Sequence, residues 1–218
     1  MKNLRIRVLA PILSLCLALL GGPAAAEDQG WLNNSLTLTA SPLWKFKFTQ
    51  ELRTLDIAYA DPYLHNLQVG VVRSLPRNFY LAVLYKREHT ERNALPLDEN
   101  RYTLEGGWKY RLSPDLDFDF RARTEIRRYS IENRDHTRFR FRARLKYSLA
   151  LGTLKLKPFI ATETFGKDKI HTVQKNRLYL GSFVPLSDHV ELVFNYIWLN
   201  QRELEDIHIF NSGVELKF

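Results

Sequence analysis

Hydrophobic and polar residues alternate one by one along most of this chain. The clearest run is Arg138 to Leu149. Arg138, Arg140, Arg142, Arg144 and Lys146 fall on one side, and Phe139, Phe141, Ala143, Leu145, Tyr147 and Leu149 on the other. A period of two kept over a dozen residues is a strand signal: successive β side chains point to opposite faces, whereas a helix would scatter them around its axis. Such a strand separates two unlike media, water or a polar interior on one side and apolar surroundings on the other.

The same alternation recurs at about 31–40, 44–55, 63–73, 79–89, 101–111 and 116–128, then in the arginine run. It continues at about 153–163, 174–184, 189–200 and 206–218. Short turns at Ser41-Pro42, Pro76-Arg77-Asn78, Ser113-Pro114-Asp115, Gly152 and 185–188 alternate with longer polar loops expected at 57–62, 91–100, 130–135 and 164–173. Outer-membrane barrels have this rhythm, with short periplasmic turns and longer outer loops. Most segments run to eleven residues or more. A tilted membrane strand needs roughly 9–11 residues, whereas soluble strands cluster at about 5–6. Trp44, Tyr85, Tyr110, Tyr147 and Trp198 sit near outward segment ends, as an interfacial girdle requires.

The expected fold is therefore all-β, a transmembrane antiparallel up-and-down β-barrel of about 10–12 strands. Its competitor is a soluble β-sandwich with these aromatics packed between two sheets, and that fold leaves the many charges opposite them unexplained. The segments number eleven, whereas bacterial single-chain barrels have even strand numbers. The first segment lies partly in the lumen or pairs irregularly, giving ten, or a strand is missed, giving twelve.

The chain has 218 residues, and no break in composition divides it. It reads as a signal peptide at 1–26 followed by one barrel domain at 27–218. Lys2, Arg5 and Arg7 form a positive region, Val8 to Leu20 a short apolar core, and Ala24-Ala25-Ala26 a cleavage site before Glu27. After the barrel begins there is no apolar run of eighteen residues, so the membrane is crossed by strands or not at all. Cleavage lowers the formal charge from +8 to +5, because three cations leave and no acid does. It also removes Cys16, the one cysteine, and with it any thiol or disulfide chemistry. The expected location is the bacterial outer membrane.

The chain ends Ser212-Gly213-Val214-Glu215-Leu216-Lys217-Phe218. This resembles the C-terminal assembly signal of outer-membrane barrels, carried by Ser212, Gly213, Leu216 and Phe218. The resemblance implies the barrel assembly machinery and outer-membrane lipid as partners. A second resemblance rests on Leu156-Lys157-Pro158-Phe159 with Glu163, on Asn176-Arg177-Leu178-Tyr179-Leu180-Gly181, and on Glu191-Leu192 through Asn195-Tyr196. Trp31 and Glu51-Leu52-Arg53 fit it too. These residues resemble a family of bacterial outer-membrane barrels known only as domain of unknown function family 2490. That resemblance implies a barrel and a location, and no reaction.

The arginine run cannot slip by one residue. A slip would turn five cations to lipid at roughly 2–4 kcal/mol each near the midplane, on the order of 10–20 kcal/mol if all were deep. The basic face is inside. Two readings of it stand. In one, Asp117, Asp119, Glu125, Glu105, Glu51 and Glu163 pair the cations and plug the lumen. In the other, Arg121, Arg123, Arg127, Arg138, Arg140, Arg142, Arg144 and Lys146 have too few acids nearby and line a small anion-preferring channel. Adjacent arginine tracks resemble, in outline, those of porins for acidic oligosaccharides, so small anions or acidic oligosaccharides are the expected solutes.

An envelope enzyme acting on lipid or an extracellular substrate is the less favoured class. None of the six histidines stands in a Ser/His/acid arrangement or at metal-ligand spacing. Glu88-His89 and Asp135-His136, at loop edges, are the nearest candidates. No catalytic residue, metal or cofactor is expected. Nor is nucleic acid, because the cations interleave with lipid-facing aromatics.

Overall fold

The computed structural model describes residues 28–55, 62–92, 95–131, 134–152, 154–168, 173–202 and 204–218. The expected signal segment lies outside them, as does most of the loop expected at 57–62. The strands are β1 (Asp28–Thr39), β2 (Trp44–Thr54), β3 (Pro62–Ser74), β4 (Phe79–Arg92), β5 (Leu95–Ser113) and β6 (Leu116–Tyr129). They continue as β7 (His136–Tyr147), β8 (Leu149–Leu151), β9 (Leu154–Lys167), β10 (Val173–Pro185), β11 (Val190–Gln201) and β12 (Ile207–Lys217). The three-residue β8 pairs only with the start of β9, and Gly152, at φ +65°, makes the turn between them. Among the described residues the other eleven close into one ring.

Ten of the eleven junctions in that ring are antiparallel. The eleventh is parallel: β1 runs beside β12 from Asp28↔His208 to Thr37↔Lys217. The fully antiparallel barrel is corrected at this seam. An odd ring built from hairpins must leave its first and last strands pointing the same way, so eleven segments need neither a lost strand nor an extra one.

Strand content also exceeds expectation. The stretch at 91–100 is not a loop, because β4 and β5 stay paired through His89↔Asp98 as far as Arg92↔Leu95. Its polarity marks a hairpin that extends beyond the apolar outer band. Likewise β9 runs to Lys167, and the loop expected at 164–173 shrinks.

The outer surface is the expected apolar one, with Leu67, Val83, Leu104 and Ile160 exposed. The aromatics form two belts. Trp108 stacks on Phe79 and Tyr110 near the short turns, and Tyr85 meets Tyr102 toward the long loops. Inside, the face is less polar than the alternation suggests. Trp31, Ile197, Leu199 and Ile209 form a buried cluster, with Tyr179 and Ile207 packed against it. Phe165 and Phe183 are buried as well.

Candidate functional site: the charged lumen

Register alone makes β6 and β7 look strained. Arg121 lies opposite Arg142, and Arg123 opposite Arg140; like charges directly opposite destabilise a sheet. The strands on either side relieve this. From β9, Glu163 accepts Arg121 Nη2 at 2.6 Å and Arg140 Nη2 at 2.9 Å. From β5, Glu105 binds Arg123 and Glu99 binds Arg127. Within the pair, Glu125 accepts Arg138 Nε at 2.6 Å and Arg140 Nη1 at 2.8 Å. Asp119 takes Arg142 Nη2 at 2.9 Å and lies 3.7 Å from Arg144 Nη2, and Asp117 lies 3.4 Å from Lys146 Nζ.

All eight predicted cations therefore sit in the lumen, and each has a carboxylate within ion-pair distance. The expected excess of unpaired charge on these two strands is corrected, because the missing acids come from their neighbours. The six predicted acids are all in ion pairs, Glu51 with Arg53 and with Lys86. Glu99 escapes a sequence reading because it lies in the stretch whose polarity predicts a loop.

The network encloses a cavity of about 350 Å³. Twelve Lys and Arg residues line it against two carboxylates, Glu51 and Glu88. Glu99, Glu105, Asp119, Glu125 and Glu163 pair those cations without lining it. Long Arg and Lys stems carry their heads toward the axis while the shorter acids stay near the wall. The surplus sits elsewhere than on β6 and β7. Among the described residues, Lys47 on β2 and Lys175 and Arg177 on β10 line the cavity with no carboxylate in ion-pair range. Aromatic faces hold part of this charge. Arg53 and Arg177 lie over Trp31, at 3.8 and 4.9 Å from the ring centre, and Arg140 and Arg177 lie over Phe165, each at 4.8 Å.

The family model for "Protein of unknown function (DUF2490)" matches residues 28–206. The chain belongs to this family. No curated protein matches it. Among solved structures, the β domain of the Bordetella autotransporter BrkA is similar, with a TM-score of 0.58 at 16% identity over 84% of this chain and 86% of that one. That likeness establishes the fold of an outer-membrane β-barrel. LpxR from Salmonella typhimurium has a TM-score of 0.47 at 9% identity, covering 80% of this chain and 83% of its own. The translocator domain of the autotransporter NalP from Neisseria meningitidis has 0.44 at 13%, covering 81% and 74%.

The DUF2490 barrel also carries a polar cluster on its outward face, beyond the Tyr85–Tyr102 belt. His89 Nδ1 is 2.7 Å from Asp98 Oδ1 and Nε2 is 3.1 Å from Glu91 Oε1, and the His65 ring lies 5.1 Å away. Hydrogen bonds to Asp98 and then Glu91 raise the His89 pKa above the ordinary 6.5. The same bond lowers Asp98 below 3.8. Each shift favours a charged form. A raised histidine stabilises the hairpin fully below pH 6.5 and loses that effect as pH rises through its folded value. A lowered aspartate acts fully above pH 3.8 and loses its effect as pH falls through its own. The link should therefore be complete between about pH 4 and 6.5. Titrating the His89 ring by NMR in detergent should give a midpoint above 6.5 that falls back toward it in Asp98→Asn. An unchanged midpoint would show that Asp98 does not hold the ring.

The other loop-edge candidate, His136, has its Nδ1 2.9 Å from the Arg134 carbonyl oxygen and its Nε2 3.5 Å from Arg127 Nη1. It is not joined to the His89 cluster by any described contact.

Proposed function

We propose that this DUF2490 barrel is a small anion-preferring channel of the bacterial outer membrane. One observation carries the reading: the cavity surface presents twelve cations and two carboxylates. Low-dielectric walls focus such a field and concentrate counter-ions at its mouth. Arginine and lysine tracks suit anion passage, and planar guanidinium groups can receive a carboxylate through two parallel bonds. The carboxylates behind them fix the guanidinium groups in place, so a passing anion meets an ordered surface. Small anions and acidic oligosaccharides are the solutes this surface fits. The proposal gives the barrel no catalytic residue and no cofactor. Export by the segment at 1–26, and insertion by the assembly machinery reading Ser212, Gly213, Leu216 and Phe218, belong to the same reading.

The test is conductance of the purified protein in planar bilayers under a salt gradient. Wild type should show a reversal potential favouring anions, and Lys47→Glu with Lys175→Glu should shift it toward cations. Conductance without selectivity would overturn the anion preference. No conductance would favour the second reading, a closed ion-paired barrel with a structural or interaction role. That reading draws on Arg177, which reaches from β10 to Trp31 on β1, across two intervening strands.

A further inference from the structure

Arg177 is the cation in this lumen whose bonding is least explained. It lies over two aromatic rings, Trp31 and Phe165, which restrict its guanidinium group. Its Nε is buried and has no hydrogen-bond partner. A buried donor left without an acceptor costs free energy, so such groups are rarely left without a partner. The acceptor expected nearby is Glu163, but its two oxygens are already taken. Oε1 accepts Arg121 Nη2 at 2.6 Å and Arg140 Nε at 3.2 Å, and Oε2 accepts Arg140 Nη2 at 2.9 Å and the Tyr179 hydroxyl at 2.8 Å. A carboxylate offers about four lone-pair positions, so four donors fill it. Arg177 therefore lines the cavity beside Tyr179, its side-chain partner, and makes no ion pair with a carboxylate among the described residues.

Lys175 stands two residues away on the same strand, so both side chains leave β10 on its inner face. Neither has a carboxylate in ion-pair range among the described residues. The charged groups that act most strongly on Lys175 are Arg177, Arg138, Arg127 and Arg53. The last three are matched by Glu125, Glu99 and Glu51. Two basic side chains thus stand side by side along the cavity without a carboxylate partner among the described residues.

We propose that Lys175 and Arg177 form a binding site for a compact dianion with several acceptor oxygens, a phosphate or a small dicarboxylate. Two negative charges balance the two cations. Paired oxygens suit the guanidinium group, and the lysine serves as a mobile point charge. Arg53 and Arg138, held by their own carboxylates, complete a positive surround that admits an anion and excludes a cation. The site rests on the anion-preferring reading of the lumen and adds a solute class to it.

Isothermal titration of the full-length mature protein in detergent tests the site. Inorganic phosphate at neutral pH is one probe and malonate the other, each against chloride at equal ionic strength. One equivalent of phosphate, malonate or both should bind to wild type, and the probe that binds identifies the oxyanion. Arg177→Gln should weaken that binding at least tenfold, as should Lys175→Gln. Arg111→Gln, on an exposed side chain near a short turn, should leave it unchanged. Should Arg177→Gln fail to show the heat-modifiable migration of a folded barrel, Lys175→Gln alone decides. Absence of binding by both probes would overturn the site, as would binding that survives Lys175→Gln undiminished. Anion-selective conductance without dianion binding would remove the site and leave the channel. Binding without conductance would keep the site and remove the passage.

Discussion

Glu163→Gln should lower the unfolding free energy of the barrel by about 3–5 kcal/mol, the cost of breaking a buried ion pair on one side. The Glu163 side chain is fully buried, and it is the common partner of Arg121 on β6, Arg140 on β7 and Tyr179 on β10. The amide keeps the shape but loses the charge, and its NH2 group points a donor at donors. Arg121 and Arg140 would then share the lumen with Arg123 and Arg142 with one counter-charge fewer. Urea unfolding in detergent, followed by heat-modifiable migration, reads the effect as a lowered midpoint. A midpoint within error of wild type would show that the arginines find other partners, and that the network is not a set of fixed pairs.

Gly213→Val should prevent closure of most of the protein. Gly213 lies on β12 at the parallel seam, where a Cβ would overlap the backbone carbonyl group of Asn33 on β1. Neither strand can retreat freely. The side chains of Asn33 and Asn211 are bonded to each other across the seam, and Asn34 Oδ1 accepts the Val214 amide at 3.2 Å. Overpacking against side chains costs about 1–3 kcal/mol, and a backbone obstacle yields less than a side chain does. Gly106→Ala is the internal control, since a Cβ there meets only Leu81 Cδ2 at 3.6 Å. The folded fraction after refolding into detergent should collapse for Gly213→Val and hold for Gly106→Ala. Equal folded fractions would mean that the seam tolerates separation and that its close approach is not needed for closure.

The Gly213 result bears on the C-terminal stretch as a whole. Phe218 donates its amide to the Thr37 carbonyl at 2.9 Å and stacks on His189 with ring centres 5.1 Å apart. The last residue thus helps join β12 to β1. We propose that Ser212, Gly213, Leu216 and Phe218 serve both as the assembly signal and as one edge of the closing seam.

What the sequence by itself determined is everything that depends on a period of two. Side-chain direction in a strand is a local property, so the outward Phe46, Val83, Leu104 and Trp198 and the inward Arg138, Arg140, Arg142, Arg144 and Lys146 were readable one strand at a time. The segment count was readable for the same reason, since each turn has its own local chemistry. Tertiary structure decided what depends on which strands are neighbours. The parallel seam follows from closing an odd ring, a condition on all eleven strands together. The pairing of Arg121, Arg123 and Arg127 follows from acids on β5 and β9, which counting charges along β6 and β7 cannot supply. Arg177 is left without a carboxylate because Glu163, opposite it on β9, is filled by donors from three strands. Alternation turns Ile197, Leu199 and Ile209 inward, since they flank the outward Trp198 and Phe210, but it does not say what they pack against. They are buried there because the ring brings them against Trp31, a contact between the two ends of the chain that only closure creates.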